Sequence, residues 1–432
     1  MRILLVMPHP NPKRSLFSKF QYPSSTLQQI AAITPSEHHI EIVDERYEDI
    51  DFSKTYDLIG ISVLTYNAYR GYEVADEYRK KGIPVVFGGY HASLMPDEVK
   101  QHADSVVIGE AELTWPVLLT DLAKGKLKPF YKNDRVVKAE EIPPARHDIG
   151  NYTYWEAIQA TRGCPTGCEF CAMNVVEGKI FRGRPVDSII EELKGIKAKK
   201  IFFADASLTI NPKYSKELFK ALKEVNKKFH CFGNINVLAR DDEFLRLSRE
   251  AGVEKWYLGI ESISQQNIDQ AGKGTNKVNN YAQAIKKIRD HDMIVTGFFI
   301  FGLDFDTVDT FDATLKAIYE WELDEASFSI LTPYPGTRLF DRFEKEGLIT
   351  NYDWSQYEEG KVNYKPKNMT PEELIDGIHR IAMDFYSVKN CFKRSFNVRP
   401  RTASMVASAL VTNLSIRSFY KREKFNRKEN EM

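Results

Sequence analysis

Short apolar runs alternate with helical patterns over the first 125 residues. The runs are RILLVM (2–7), HIEIVD (39–44), DLIGISV (57–63), PVVFGG (84–89) and SVVIGE (105–110). Strands that are apolar throughout are buried on both faces, and helices between them make the strands parallel. The pattern over 1–125 therefore predicts an α/β domain with a doubly wound, Rossmann-like parallel sheet. Its ligand is expected beyond the carboxyl ends of the strands.

A polar, proline-bearing stretch over 126–150 predicts a linker to a second series of strands and helices in 151–337. The apolar runs of this series are 157–163, 200–206, 229–237, 255–262, 294–303 and 325–334. Six strand–helix repeats are too few for a closed eight-stranded barrel. They predict a partial (β/α)6 TIM-type barrel, with its active site at the C-terminal strand ends. Residues 338–432 predict a mainly helical region whose last helix has a basic end.

Composition narrows the class of protein. The formal net charge of zero indicates no overall attraction to nucleic acid. The longest apolar run, around 294–303, is shorter than the ~18–20 residues that span a bilayer. Five cysteines, three of them clustered, favour an intracellular metal or redox site over a disulfide framework. The expected location is the cytoplasm.

The clustered cysteines lie in TRGCPTGCEFCAMN (161–174), spaced C-x3-C-x2-C. Thiolates bind zinc, copper(I) or iron–sulfur clusters. A structural zinc site has four protein ligands, so this alternative needs a fourth ligand such as His147 or His230. An iron–sulfur cubane held by three thiolates leaves one iron open for an exogenous ligand. Cys231 and Cys391 have no paired motif and read as buried thiols.

The cysteine spacing resembles the signature of the radical SAM superfamily. Over residues 2–350 the chain resembles the cobalamin-dependent (class B) radical SAM enzymes, which join an N-terminal cobalamin-binding domain to a radical SAM barrel. The matching segments are FGGYHASLMPDE (87–98), VIGEAELTW (107–115), FRGRPVDSIIEEL (181–193), FFADAS (202–207), LGIES (258–262), GFFIFGL (297–303) and LTPYPGTRLFDRFEKEGLI (331–349).

The resemblance implies site residues for the iron–sulfur cluster and for S-adenosylmethionine (SAM). The ligands of the 4Fe–4S cluster would be Cys164, Cys168 and Cys171, with SAM chelating the open iron. The SAM contacts would be Phe170, Arg182, Asp205, Glu261, Ser262 and Gly297. Gly297 has no side chain and is expected to leave room for the adenine of SAM.

For cobalamin, the resemblance implies contacts at Ser62, Tyr66, Asn67, Gly88, Gly89, His91, Gly109 and Glu110. The Asp-x-His-x-x-Gly motif that supplies an axial histidine in some cobalamin domains is absent. Cobalamin would therefore bind without a histidine on cobalt, and either Tyr66 or Asn67 would approach the metal. The alternative for His91 is an ordinary core histidine.

The implied activity is C-methylation of an unactivated sp3 carbon through a 5′-deoxyadenosyl radical and methylcobalamin. A cyclase or rearrangement enzyme without methyl transfer is an alternative that uses the same cofactors. A corrinoid-binding electron-transfer protein is an alternative of another class, which the three-cysteine motif disfavours. An RNA methylthiotransferase is set aside because residues 1–163 contain no cysteine.

The substrate stays open among a peptidyl residue, an isoprenoid lipid and a tetrapyrrole. The aromatic segment 350–366 is expected to cap the substrate cavity, or alternatively to pack as an extended segment. Its aromatic side chains are Tyr352, Trp354, Tyr357 and Tyr364. An external electron donor such as ferredoxin or flavodoxin is expected, without a nucleic-acid partner or a transmembrane segment. The basic C-terminal helix leaves peripheral membrane contact open.

Overall fold

Two parallel sheets of six strands each form the framework of the protein. The structure is a computed structural model. It describes residues 1–10, 22, 24–150, 154–358, 360–399 and 403–430. The predicted α/β architecture, with a Rossmann-like sheet, a partial barrel and C-terminal helices, is confirmed.

The first sheet has the spatial strand order β2-β1-β3-β4-β5-β6, and all its pairs are parallel. Its strands are β1 (Arg2–Met7), β2 (His39–Asp44), β3 (Leu58–Ser62), β4 (Val85–Gly88), β5 (Ser105–Ile108) and β6 (Phe130–Lys132). Its helices are α1 (Thr26–Ala32), α2 (Ala68–Arg79), α3 (Tyr90–Leu94), α4 (Pro96–Lys100) and α5 (Trp115–Ala123). The strand order reverses at β1, and in such sheets a ligand crevice opens at the carboxyl ends beside the reversal.

Alternate residues of β1 explain why its sequence is continuously apolar. Leu4 and Val6 pack into the core on one face of the sheet, whereas Ile3 and Leu5 pack into the core on the other face. The sheet is therefore covered on both sides. It also extends further than expected, because β6 lies within the stretch predicted as a linker.

The second sheet forms the partial barrel, and its six parallel strands follow one another in chain order. These strands are β7 (Trp155–Ile158), β10 (Lys200–Phe203), β11 (Lys228–Gly233), β12 (Val253–Glu261), β13 (Ile294–Phe301) and β14 (Glu325–Ile330). A small antiparallel pair, β8 (Thr161–Arg162) and β9 (Arg182–Gly183), follows β7. The helices are α6 (Met173–Val176), α7 (Val186–Gly195), α8 (Pro212–Leu222), α9 (Ile235–Arg240), α10 (Asp242–Glu250), α11 (Gln265–Gln270), α12 (Tyr281–Asp290) and α13 (Asp309–Glu320).

The C-terminal region covers the free edge of β14. Its helices are α14 (Arg338–Lys345), α15 (Pro371–Phe385), α16 (Val388–Ser395) and α17 (Ala403–Asn430). The hydroxyl of Tyr386 donates to the carbonyl of Ala326 at 2.6 Å and accepts from its N–H at 2.9 Å. The Tyr420 hydroxyl accepts from the N–H of Phe328 at 3.0 Å. These bonds satisfy backbone groups that an open sheet edge leaves unpaired.

Among the described residues, no helix combines the length and the apolar content that crossing a membrane requires.

Candidate active site

The three clustered cysteines lie on the loop between β8 and α6, and all three are half-buried. Gly163 begins this loop with a φ of +77°, and a Cβ at this position would collide with the carbonyl group of Ile180. Further along, the Glu169 carboxylate accepts a hydrogen bond of 2.7 Å from Arg342 of α14. Both ends of the loop are thereby held at the C-terminal side of the barrel.

The donor set of the loop fits an iron–sulfur cluster. Burial raises the pKa of Cys168 to about 12 and also raises that of Cys171, so both thiols stay protonated until a metal binds. The two remaining cysteines, Cys231 and Cys391, are fully buried in β11 and α16. Three thiols on one loop are the donor set that an iron–sulfur cluster with one open iron would need. Among the described residues, no group of three or more His, Cys, Asp or Glu side chains is close enough together to hold a single metal ion.

The two histidines considered for a zinc site have other partners. His147 lies between Glu156 and Glu192, with nitrogen–oxygen distances of 3.1 and 2.8 Å. His230 lies 2.6 Å from the hydroxyl of Tyr22. The zinc alternative therefore gains no support from either ring.

Two predicted SAM-binding carboxylates are buried around the cysteine loop. Asp205 accepts a 2.6 Å hydrogen bond from the hydroxyl of Thr161, and burial raises its pKa to about 7. Glu261 ends β12 with a φ of +64° and pairs with the ammonium group of Lys273. A non-glycine residue in this left-handed region is strained, and such strain is concentrated at functional sites.

The other predicted SAM contacts have different surroundings. Phe170 is half-buried and packs against the barrel core, while Ser262 directly follows the strained end of β12. Gly297 faces the outer layer of the barrel, because a Cβ there would lie 2.8 Å from Ile260 and 2.9 Å from Leu323. Glycine at this position therefore does not widen the barrel interior, and the expected room for adenine is not found there.

Arg182 and Glu110, predicted for SAM and cobalamin respectively, bind each other across the domain interface at 2.8 Å. Arg162 also donates to Glu110 at 2.9 Å and pairs with Glu112 at 2.7 Å. All four side chains are less than one-tenth exposed. This buried network joins the end of β5 to the strand that precedes the cysteine loop.

A cavity of about 390 Å³ lies at this interface, hereafter the interface cavity. Six of the predicted cobalamin contacts line it: Ser62, Tyr66, Gly88, Gly89, Gly109 and Glu110. Gly89 has a φ of +92°, and a Cβ there would lie 2.7 Å from the carbonyl oxygen of Val63. Only glycine fits this turn, and the bare backbone beside the cavity suits the approach of a bulky ligand.

Two predicted cobalamin contacts lie elsewhere. Asn67 donates to the carbonyl of Pro8 at 2.9 Å and accepts from the N–H of Leu64 at 2.8 Å. His91 is fully buried and lies 3.7 Å from a carboxylate oxygen of Glu98. The structure does not bring these two side chains to the interface cavity, whereas Tyr66 lines it.

Sequence reasoning gave no site role to Tyr90, Gln159 or Glu177, which also line the interface cavity. The Tyr90 hydroxyl donates to one oxygen of Glu177 at 3.1 Å, and the other oxygen accepts from the N–H of Gly163 at 3.3 Å. This pair connects the glycine turn after β4 to the cysteine loop. The positions of Tyr90 and Gln159 next to matching motifs could have indicated them. Tyr90 lies inside FGGYH, and Gln159 lies two residues before Thr161-Arg162-Gly163.

A larger cavity of about 1500 Å³, hereafter the barrel cavity, lies inside the barrel, where it is lined by residues from the amino-terminal ends of the strands inward and by α15 and α17. Its aromatic wall comes from five strands: Trp155, Phe202, Phe232, Tyr257 and Phe298. Tyr22 stacks on Phe202 with ring centroids 4.3 Å apart. Lys255 and Glu325 form a buried ion pair of 2.8 Å in the same cavity.

The aromatic side chains of the segment expected to cap the substrate cavity pack elsewhere, whereas Gly360 of the same segment lines the barrel cavity. The Tyr364 hydroxyl donates to the carbonyl of Gly302 at 2.7 Å, and Tyr357 is fully buried. Trp354 contacts the first domain, as described below, and Tyr352 is 53% exposed. The alternative of a packed extended segment fits these positions.

Comparisons with known proteins agree with this arrangement. Family models match at residues 158–318 (Radical SAM superfamily), 32–119 (B12 binding domain) and 337–421 (Domain of unknown function, DUF4070). A bacteriochlorophyllide d C-8(2)-methyltransferase from Chlorobaculum tepidum is 31% identical, covering 92% of this chain and 93% of that protein. An anaerobic magnesium-protoporphyrin IX monomethyl ester cyclase from Cereibacter sphaeroides is 28% identical, covering 78% and 61%. The structure of the radical SAM methyltransferase TsrM from Kitasatospora setae has a TM-score of 0.72 at 14% identity, covering 98% and 99%.

The chain belongs to the cobalamin-dependent radical SAM enzymes. Within this family it is a radical SAM C-methyltransferase, and its cofactors are a 4Fe–4S cluster, SAM and cobalamin.

Proposed function

We propose that this enzyme methylates an sp3 carbon of a large, mostly apolar ring system, and that a tetrapyrrole is the acceptor class. The observation that carries the proposal is the barrel cavity with its aromatic wall. Its volume of about 1500 Å³ exceeds the ~300–1,000 Å³ of ordinary ligand pockets. A peptidyl residue would need less space.

The aromatic wall of the barrel cavity favours a flat acceptor. Tyr22 stacks on Phe202 at an interplanar angle of 14°, and the other rings of the wall offer aromatic faces to a planar acceptor. Lys200 lines the cavity with its ammonium group 5.3 Å from the Trp155 ring centroid, where it can pair with a carboxylate of the acceptor. The similarity to a methyltransferase acting on bacteriochlorophyllide d supports the same class.

We assign the cofactors to the residues expected from the family. Cys164, Cys168 and Cys171 would ligate the cluster, which when bound supplies the electron that cleaves SAM. The buried carboxylates Asp205 and Glu261 would orient the cationic and hydroxyl groups of SAM, because both lie beside the cysteine loop. Phe170 and Ser262 would complete this site, while the bonds of Arg182 to Glu110 favour a structural role for both.

For cobalamin, we assign the contacts to the six predicted residues that line the interface cavity. Asn67 and His91 would act indirectly, by holding the loop after β3 and the helix after β4. We assign cobalamin binding to residues 1–125 and radical chemistry to 151–337, joined by the linker 126–150 and followed by 338–432. The carboxyl ends of strands in the first sheet and of β7 and β10 in the barrel border the interface cavity, which supports transfer between the cofactors.

A cyclase is the second candidate function. The similarity to the magnesium-protoporphyrin IX monomethyl ester cyclase favours it, and the same aromatic cavity suits both reactions. The two differ in a measurable product, because only the methyltransferase moves a methyl group from SAM to the acceptor.

We further propose an external one-electron donor such as ferredoxin or flavodoxin, and a location in the cytoplasm. Free thiols throughout the chain support a reducing compartment. Peripheral contact of α17 with a membrane is kept as a prediction, because its described end carries the exposed Lys421 and Arg422.

The test is anaerobic reconstitution with iron, sulfide and hydroxocobalamin, followed by reductant and methyl-labelled SAM. We expect label on cobalamin without an acceptor, and on protoporphyrin-type compounds when these are supplied. Cluster formation and 5′-deoxyadenosine without labelled cobalamin would contradict methyl transfer and favour the cyclase. Labelled cobalamin together with transfer only to peptides would contradict the tetrapyrrole acceptor.

A further inference from the structure

Helix α3 follows Gly89 directly and borders the interface cavity, so its position fixes one wall of the cavity. Its first residue, Tyr90, is tied to the barrel through the 3.1 Å hydrogen bond to Glu177. Its next residue, His91, faces the C-terminal region, where its ring packs against Trp354 with centroids 5.9 Å apart. The short helix is therefore contacted by two separate parts of the rest of the molecule.

The contact at Trp354 is polar and joins a buried indole to a half-buried carboxylate. The indole N–H donates to both carboxylate oxygens of Glu98 on α4, at 2.8 and 3.0 Å, and Trp354 is only 6% exposed. Trp354, Glu98 and His91 are called the interdomain clamp below. Glu98 also accepts a 2.9 Å hydrogen bond from the hydroxyl of Tyr72 on α2.

The clamp has an ionised carboxylate at its centre. Burial acts to raise the pKa of Glu98, but the hydrogen bonds from Trp354 and Tyr72, together with the nearby His91, outweigh it and lower the pKa. Hydrogen bonds to an ionised acceptor are about twice as strong as those between neutral groups. The clamp is therefore a specific contact rather than incidental packing.

The other side of the clamp is anchored in the barrel. Trp354 lies within the segment 349–364, whose two ends pair with each other through an antiparallel β-bridge between Ile349 and Tyr364. The Tyr364 hydroxyl bonds to the carbonyl of Gly302, directly after β13. A displacement of Trp354 thus has to move either this anchored segment or the helices α3 and α4.

We propose that Trp354 is a positioning residue that sets the place of the cobalamin-binding wall relative to the cysteine loop. This inference rests on the proposed assignment of cobalamin to the interface cavity. Methyl loading of cobalamin from SAM needs both cofactors in one fixed geometry, and effective rates fall steeply with small misplacements. The clamp supplies this geometry from outside the cavity, without touching either cofactor.

The first test uses the full chain without cofactors and measures hydrogen exchange in peptides over 90–100. Trp354→Ala should raise exchange there on the order of tenfold, and Trp354→Phe, which keeps a ring but loses the N–H donor, by about threefold. Tyr352→Ala is the matched control, because this neighbouring aromatic is exposed and should leave exchange unchanged. Unchanged exchange in folded Trp354→Ala would overturn the clamp.

The second test measures methylcobalamin formation after reconstitution. Trp354→Phe and Trp354→Ala should bind iron and cobalt as the unchanged enzyme does, yet form methylcobalamin more slowly, by about tenfold for Ala. Equal rates in all variants would overturn the positioning role. Absence of methylcobalamin in the unchanged enzyme would instead contradict the proposed function, while the exchange result would still decide whether the clamp holds the two domains.

Discussion

At the scale of single residues, the cysteine loop depends on its buried surroundings. The Lys273 ammonium lies close enough to Cys168 to lower its pKa, although burial dominates and raises it to about 12. The carboxylate of Glu261 forms an ion pair with the same lysine, and the backbone of Glu261 is in a strained conformation. The thiols of the loop are therefore protonated and lose their protons when a metal binds. They lie beside the ion pair of Lys273 and Glu261.

Replacing Cys168 by Ala should abolish reductive cleavage of SAM, because two thiolates cannot hold the cluster with one iron open. The measurement is 5′-deoxyadenosine formed under reducing, anaerobic conditions, together with bound iron. Cys231→Ala is the control, since this thiol is fully buried in β11 and should leave the iron content unchanged. Cleavage that persists in Cys168→Ala would refute the cluster assignment.

At the scale of elements, the linker is fastened to the barrel by an ionic contact. His147 reaches Glu156 on β7 and Glu192 on α7, and Glu192 also pairs with Arg184 at 2.6 Å. Burial acts to lower the pKa of His147, but the hydrogen bonds to the two glutamates outweigh it and raise the pKa from 6.5 to about 9. Protonation of one ring therefore strengthens the attachment of the linker.

This contact predicts a pH dependence of stability. The pKa of His147 is higher in the folded protein than in the unfolded chain, so protonation of the ring stabilises the folded state. This stabilisation is fully present below pH 6.5 and is lost as the pH rises through about 9. The loss corresponds to at most about 3 kcal/mol. His147→Gln should therefore lower the melting temperature at pH 6.5 and have a smaller effect at pH 9.5.

The matched control for this comparison is His39→Gln, because His39 is exposed. A similar difference between the two pH values in both variants would show that the His147 contact is not the cause.

At the scale of the whole molecule, two strand-end faces meet at one cavity. The buried network of Glu110, Glu112, Arg162 and Arg182 crosses this interface beside the interface cavity. Removing one partner of such a network leaves an unpaired buried charge, which costs several kcal/mol. The network therefore makes the relative placement of the domains specific.

Gly89→Val should abolish most cobalamin binding while preserving the cluster. The new side chain would meet the carbonyl of Val63 at 2.7 Å and force a strained backbone beside the interface cavity. We expect bound cobalt to fall on the order of tenfold with unchanged iron, as measured by metal analysis after reconstitution.

The control is Gly82→Val. Gly82 also has a positive φ, +73°, but a Cβ there meets nothing within 4 Å and it does not line the interface cavity. Equal loss of cobalt in both variants would show that backbone strain alone, rather than the wall of the cavity, explains the result.

The strand limits were largely accessible from the sequence. HIEIVD over 39–44 coincides with β2, and the runs beginning at 200 and 294 begin β10 and β13. The strands β10 and β13 have nearly continuous apolar runs, and β2 has apolar residues at 40, 42 and 43, which made all three recognisable. The strand β6 was missed because its short segment Phe130–Lys132 alternates exposed and buried residues at the edge of the sheet.

The directions of the side chains were harder to predict from the sequence. Gly297 and His91 belong to the motifs that carry the family resemblance, but one faces the helix layer and the other faces the clamp. A motif fixes a position along the chain, whereas direction depends on the strand's pleat and on the packing of neighbouring elements.

By itself, the sequence determined the chemistry of this protein: three thiols in one short loop, two series of parallel strands, and a family resemblance that implies the three cofactors. Local spacing and periodicity are sufficient for the thiols and the strands, because these depend on residues close together in the chain, whereas the cofactors follow from the resemblance. Only the tertiary structure decided how the two domains face each other, through Arg162 with Glu110 and Trp354 with Glu98. These partners are 52 and 256 residues apart, and contacts between such distant residues form only when the whole chain is folded.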